Sequence, residues 1–365
     1  MFERVFIIAE AGVNHNGSID LARRLVDIAA DAGADAVKFQ TFRADKLVTR
    51  RAEKAAYQVA NTGTEGAQME MLRRLELSDT EHQILVDHCR SRAIRFMSTA
   101  FDMDSLAYLA ALDMPAVKIP SGDITYGPML LAAARLGKPL IVSTGMATLG
   151  DIEDALDVIA FALTREGAPT GRADLENARL GAAGHAALVR SVTLLHCVTQ
   201  YPAPPESVNL RAMDTMAAAF GLPVGYSDHT LGTAVSIAAV ARGATVIEKH
   251  FTLDRGLEGP DHKASLEPDE LCSLVAAIRI VEQALGTPFK GPGEDEAPNR
   301  KVARRSIVAA RRVAAGQTLV EGDLTAKRPA DAASPMETWD LVGRTAVRSY
   351  EIDDPMQSAT DRAHP

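Results

Sequence analysis

Short apolar runs alternate with helical periodicity eight times over roughly the first 285 residues. The runs are VFIIAEA, AVKFQT, RFMSTA, AVKIPS, PLIVST, VTLLHCV, VGYSDH and VIEKHF. Most begin apolar and β-branched, the pattern of strands buried on both faces of a parallel sheet. Helical stretches follow, among them 19–32, 80–92, 103–112 and 149–163. Eight strand–helix units predict a (β/α)8 barrel, that is, a TIM barrel of the α/β class. An open, doubly wound sheet is the alternative. It gives no reason for polar, function-like residues at all eight strand ends.

Two connections are long. Residues 42–78 follow the second strand and carry AAYQVANTG, on the face where βα loops hold substrate. Residues 164–190 precede the sixth strand and read as a peripheral insertion on the opposite face. Near residue 286 the composition shifts to GTPFKGPGEDEAPN, a Gly/Pro/acidic linker. We therefore expect a catalytic barrel over 1–286, a linker over 287–299 and a small β-rich domain over 300–365. A domain of about 65 residues is near the lower limit for independent stability and gains by packing on a partner.

The chain has 365 residues, 47% hydrophobic, with formal net charge -9 and pI near 5.5. That charge argues against nucleic acid as a partner. The three cysteines, Cys89, Cys197 and Cys272, are widely spaced and lack a CxxC pattern. They predict reduced thiols in a cytoplasmic protein. MFERVFIIAEAG reads as a first strand rather than a signal peptide, and no apolar run approaches the ~18 residues a membrane span needs.

Polar residues gather at the predicted strand ends, where barrels place their sites. The seventh and eighth strands end at His229 and His250, a candidate metal pair. Each has an ionisable neighbour, Asp228 and Lys249. Glu10 ends the first strand, and a carboxylate there needs a partner or a task. Lys38 and Gln40 share one face of the second strand by its period of two. Lys118, Ser121 and Asp123 follow from the fourth strand, and Ser143 ends the fifth. With Lys38, Lys118 and Lys249 on one rim, the hydroxyls and glycines there suggest a phosphate or carboxylate pocket. Asp261 lies in a Gly-Pro turn after the eighth strand. No GxGxxG, Walker A or HExxH pattern occurs.

In order along the chain stand AEAGVNHNG, VKFQTFRADKL, IPSGDIT, STGM, LLHCVTQYPAP, GYSDHT, EKHFTLD and GPDHKAS. Together they resemble the sialic acid synthases, which condense phosphoenolpyruvate with an N-acetylated sugar aldehyde. ARRSIVAAR and AKRPADAASPMETWDLVGR resemble that family's C-terminal, antifreeze-like (SAF) domain. The resemblance implies a metal-dependent transferase that makes N-acetylneuraminate and phosphate from N-acetylmannosamine, phosphoenolpyruvate and water. A legionaminate-type synthase acting on a 2,4-diacetamido-trideoxymannose is the alternative acceptor reading. A Schiff-base aldolase and an inactive sugar-binding scaffold are readings of other classes.

By the resemblance His229 and His250 would bind Mn2+ or Mg2+. Lys118, Ser121, Ser143, Ser227 and Lys38 would hold phosphoenolpyruvate. Glu10 would act as acid/base or orienting group. Gln40, Asn61, Asp123, Tyr201 and Asp261 would contact the sugar. Arg328 would reach across a domain-swapped homodimer to cap the partner's barrel. Two departures stand out: Asp123 replaces a common glutamate, and the KRP motif continues Ala330-Asp331-Ala332 where the family usually has glycines.

Overall fold

In the computed structural model, residues 4–55, 58, 59, 61 and 67–358 are described. The chain divides into two units, Met1–Gly286 and Thr287–Pro365. In the first, eight parallel strands close into a barrel in sequence order. They are β1 (Phe6–Gly12), β2 (Ala36–Thr41), β3 (Arg95–Ala100), β4 (Val117–Ile119), β5 (Leu140–Ser143), β6 (Val192–Cys197), β7 (Val224–Asp228) and β8 (Val246–His250). The last strand pairs with the first, Glu10 opposite His250, so no edge remains open.

The outward positions of these strands, such as Ile7, Val37, Phe96, Leu194 and Ile247, belong to the large core they share with the surrounding helices. Helix starts are written locally in the sequence. Ser78 and Thr148 each form a reciprocal capping box, with Glu81 and Asp151, ahead of Asp79–Ser91 and Leu149–Thr164. The 164–190 insertion folds as two helices, Arg172–Leu180 and Ala182–Ser191, that pack against Leu149–Thr164. Arg179 ties it down through Asp157 and Glu153.

In the second unit the helix Ala297–Ala303 begins within the segment expected as linker. β9 (Ser306–Ala309) and β10 (Leu324–Lys327) pair antiparallel. Thr318 with Thr345, Val313 with Tyr350 and Val308 with Pro355 make single antiparallel bridges. Ile307, Val313, Leu319, Leu341, Tyr350 and Met356 supply its core. No helix among the described residues is long and apolar enough to cross a membrane.

Candidate active site

The barrel interior is built in layers. Phe6, Ile8, Ala36, Met97, Ala116, Ile141, Leu195 and Val246 form an apolar plug. Two residues further along each strand, the inward position turns polar. Glu10 follows Ile8, Lys38 follows Ala36, Thr99 follows Met97 and Lys118 follows Ala116. Ser143, Cys197, Ser227 and Glu248 complete the ring from β5 to β8. All eight line one cavity of about 170 Å3. Gln40 and His250, one step higher on β2 and β8, also line it, as do Ser121, Tyr201 and His229 from the strand exits.

The charges in this ring are paired with one another. Lys38 Nζ lies 2.6 Å from Glu10 Oε2 and 3.5 Å from Glu248 Oε2, and donates to Thr99 Oγ1 at 2.9 Å. Lys118 Nζ lies 3.2 Å from Glu248 Oε1, which also accepts from Ser227 Oγ at 2.8 Å. Burial pushes Glu10 up to about 7, against the pull of Lys38. Burial works in the same direction on Glu248, but Lys118 and Lys38 outweigh it and hold that carboxyl well below the usual range. For Lys38, burial opposes the charge, yet Glu10 and Glu248 raise its affinity for the proton. Ser143 Oγ is buried in the wall without a hydrogen-bond partner among the described residues.

The backbone makes room for this ring at two glycines. Gly12 takes φ +53°, and a Cβ there would sit 3.3 Å from Gln40, Glu10 and His250. A Cβ on Gly145 would press on Thr199, Ser121 and Cys197 at 2.7–2.9 Å. Instead Gly145 N–H donates to Ser121 Oγ at 3.0 Å.

The two imidazoles stand 5.5 Å apart between ring centres. Burial lowers His229 to about 4 and, with His229 and Lys38 adding to it, takes His250 well below its usual value. Both are therefore neutral near pH 7, the state in which imidazole ligates a metal. His229 Nδ1 lies 2.5 Å from the carbonyl oxygen of Val198. A carbonyl only accepts, so Nδ1 carries the proton and Nε2 keeps its lone pair. Among the described residues His250 Nδ1 is buried with no hydrogen-bond partner, and Asp261 Oδ2 is 3.9 Å away. His229 Nε2, 3.5 Å from Ser227 Oγ, and His250 Nδ1 fit a divalent cation as a partial ligand set. Among the described residues no three His, Cys, Asp or Glu side chains form a ready-made metal centre.

The other expected site residues divide into near and remote. The Tyr201 ring lies 4.1 Å from that of His229 and 5.6 Å from that of His250. Asp261 is buried, which raises it to about 6. Asp123 ends the short turn Ser121–Asp123 and does not line the cavity, although Pro120, Ser121 and Gly122 do. Its Oδ2 is buried without a partner among the described residues, and burial raises its carboxyl to about 6. Asn61 donates to the Pro260 carbonyl at 2.6 Å and so ties the long β2 loop to the loop after β8. Within AAYQVANTG, residues 56, 57, 60, 62 and 63 lie outside the described residues. Arg328 is exposed in the second unit, just after β10.

Lys249 is a correction. It does not share the rim with Lys38 and Lys118. On β8 the inward residues are Glu248 and His250, so Lys249 points out of the barrel. There it pairs with Asp228 at 3.0 Å and donates to the Thr230 carbonyl at 2.5 Å. Asp228 in turn accepts from Thr230 and Ser236. The two ionisable neighbours of the histidines thus form one structural pair. What sequence reasoning missed is Glu248, although a period of two counted back from His250 marks it. Thr99 and Cys197 also line the cavity, and small residues in a buried strand give no such signal.

The chain matches the NeuB family over residues 25–290 and the SAF domain over residues 304–358. It belongs to the NeuB family. It is 45% identical over 352 residues to N,N'-diacetyllegionaminic acid synthase of Campylobacter jejuni, spanning 96% of this chain and 98% of that one. The protein of the same name from Legionella pneumophila is 46% identical over 338 residues, 93% of this chain and 89% of that one. Among solved structures, N-acetylneuraminic acid synthetase from Leptospira borgpetersenii superposes with a TM-score of 0.67 at 32% identity, covering 81% and 90% of the two chains. The closed parallel barrel followed by a small SAF domain is thus the fold of this protein.

Proposed function

We propose that this NeuB-family enzyme condenses phosphoenolpyruvate with a 2,4-diacetamido-trideoxymannose and water, giving a legionaminate-type nine-carbon 2-keto acid and phosphate. The carrying observation is the buried ring in which Lys38 and Lys118 are braced by Glu10 and Glu248 beside two neutral imidazoles. Of the two acceptors that the sequence leaves open, the diacetamido sugar is favoured over N-acetylmannosamine. The support is 45–46% identity to two N,N'-diacetyllegionaminic acid synthases, against 32% to the N-acetylneuraminic acid synthetase.

In the proposed reaction C3 of phosphoenolpyruvate forms a bond to the aldehyde carbon of the sugar. Water adds at C2, and the C2–O bond breaks to release phosphate. Lys118, Ser121, Ser143, Ser227 and Lys38 bind the phosphate and carboxylate through charge-assisted hydrogen bonds. Glu10, ionised above about pH 7, accepts the proton of the attacking water. A divalent cation, Mn2+ or Mg2+, on His229 and His250 would polarise the aldehyde as a Lewis acid. Gln40, Tyr201, Asp123, Asp261 and Asn61 orient the acceptor. The cysteines are free, as a reducing cytoplasm would keep them. The C-terminal unit, through Arg328, caps the barrel of a second copy in a closed homodimer.

The test is turnover of phosphoenolpyruvate with each sugar in turn, before and after chelation. The expected result is a kcat/KM at least tenfold higher for the diacetamido sugar, lost in chelator and restored by Mn2+ or Mg2+. In the same assay, mixed His229→Ala and Arg328→Ala proteins regain part of the activity. A preference for N-acetylmannosamine overturns the acceptor, full activity in chelator the metal, and no recovery after subunit exchange the cap.

A further inference from the structure

The cavity holds one carboxylate whose two oxygens serve two different lysines. Glu248 Oε1 faces Lys118 at 3.2 Å and Oε2 faces Lys38 at 3.5 Å. Its register on β8, opposite Ser227 on β7, lets Ser227 Oγ donate to Oε1 at 2.8 Å and fix the fork. Lys38 is further held by Glu10 and Thr99 on its other side. All the charged members of this cluster are almost wholly buried: Glu248 is 5% exposed, Lys38 3% and Lys118 4%. A buried charge bridging two others in this way costs desolvation and fixes geometry.

We propose that Glu248 is a positioning residue that keeps Lys38 and Lys118 as two separate anion contacts, so that the cavity selects a substrate with two anionic groups over inorganic phosphate. The inference rests on the proposed phosphoenolpyruvate reaction and deepens it. With the carboxylate between them, the two ammonium groups cannot close on one small anion. A substrate bearing a phosphate at one end and a carboxylate at the other meets one lysine with each. Without the negative charge at the centre, both lysines are free to turn toward a single phosphate. Product phosphate then competes more strongly than in the wild type.

The experiment compares wild type with Glu248→Gln and Glu248→Asp, all shown to be folded by thermal melting. It measures the KM for phosphoenolpyruvate and the competitive inhibition constant of inorganic phosphate. In Glu248→Gln the ratio of KM to that constant rises at least tenfold, with phosphate binding more tightly in absolute terms. Glu248→Asp retains the charge and returns the ratio at least halfway on a logarithmic scale. A merely structural defect moves both constants together and leaves the ratio alone, so a ratio within threefold of wild type overturns the proposal. If Glu248→Gln does not fold, Glu248→Ala, which also removes the charge, is read by the same criterion. A wild-type protein that neither binds nor consumes phosphoenolpyruvate removes the underlying reaction instead.

Discussion

Two groups of cations in this molecule meet water in opposite ways. In the barrel, Lys38 and Lys118 are buried and braced by Glu10 and Glu248. In the C-terminal unit, Arg300, Lys301, Arg304 and Arg305 line an open groove of about 370 Å3. All four are exposed, and none forms a salt bridge among the described residues. Exposed charges are screened and each ion contact is worth about 0.2–1 kcal/mol. Buried, preorganised ones hold an anion with about 1.5–3 kcal/mol per charge-assisted bond. More positive charge therefore does not make the better anion site.

A second contrast concerns buried polar groups. Asp323, in the C-terminal unit, accepts from Val320 N–H, Gln317 and Arg311, and these hydrogen bonds hold its carboxyl below the usual range. It ties a turn. In the barrel, Ser143 Oγ and His250 Nδ1 have no hydrogen-bond partner among the described residues. Both atoms are free to bond a ligand in the cavity.

The contrast breaks most readily at Glu10. Its carboxyl, raised to about 7, gains a proton as the pH falls through that value and can then no longer accept one from water. Wild-type kcat should fall below pH 7, and Glu10→Gln should lower it about 10²–10⁴-fold and erase that limb. An unchanged pH profile in the variant would remove Glu10 from proton transfer. A smaller effect sharpens the comparison of the cation groups. Lys118→Ala should raise the KM for phosphoenolpyruvate about 10–150-fold, the equivalent of one charge-assisted bond. The double substitution of Arg300→Ala with Arg304→Ala should change it less than about fivefold. Equal effects at the two places would erase the distinction.

Much of this was legible in the sequence because a barrel obeys two simple periods. Eight apolar runs ending in polar residues specify both the closed sheet and the face that carries chemistry. The period of two places Lys38 with Gln40 correctly, and both line the cavity. The same rule applied to VIEKH separates Glu248 and His250 from Lys249, which proximity to His250 obscured. Asp228 and Lys249 look functional as letters, and only their outward pairing reveals a structural role. Thr99 and Cys197 became site residues through neighbours on other strands, information that no local window contains.

The most direct test is a crystal structure of the full chain with phosphoenolpyruvate at saturating concentration. The account predicts the molecule inside the barrel, its phosphate and carboxylate within hydrogen-bonding distance of Lys118 and Lys38, with Ser143 Oγ engaged. Phosphoenolpyruvate lying instead in the groove of Arg300 and Arg304, with the barrel cavity free of it, would contradict the account.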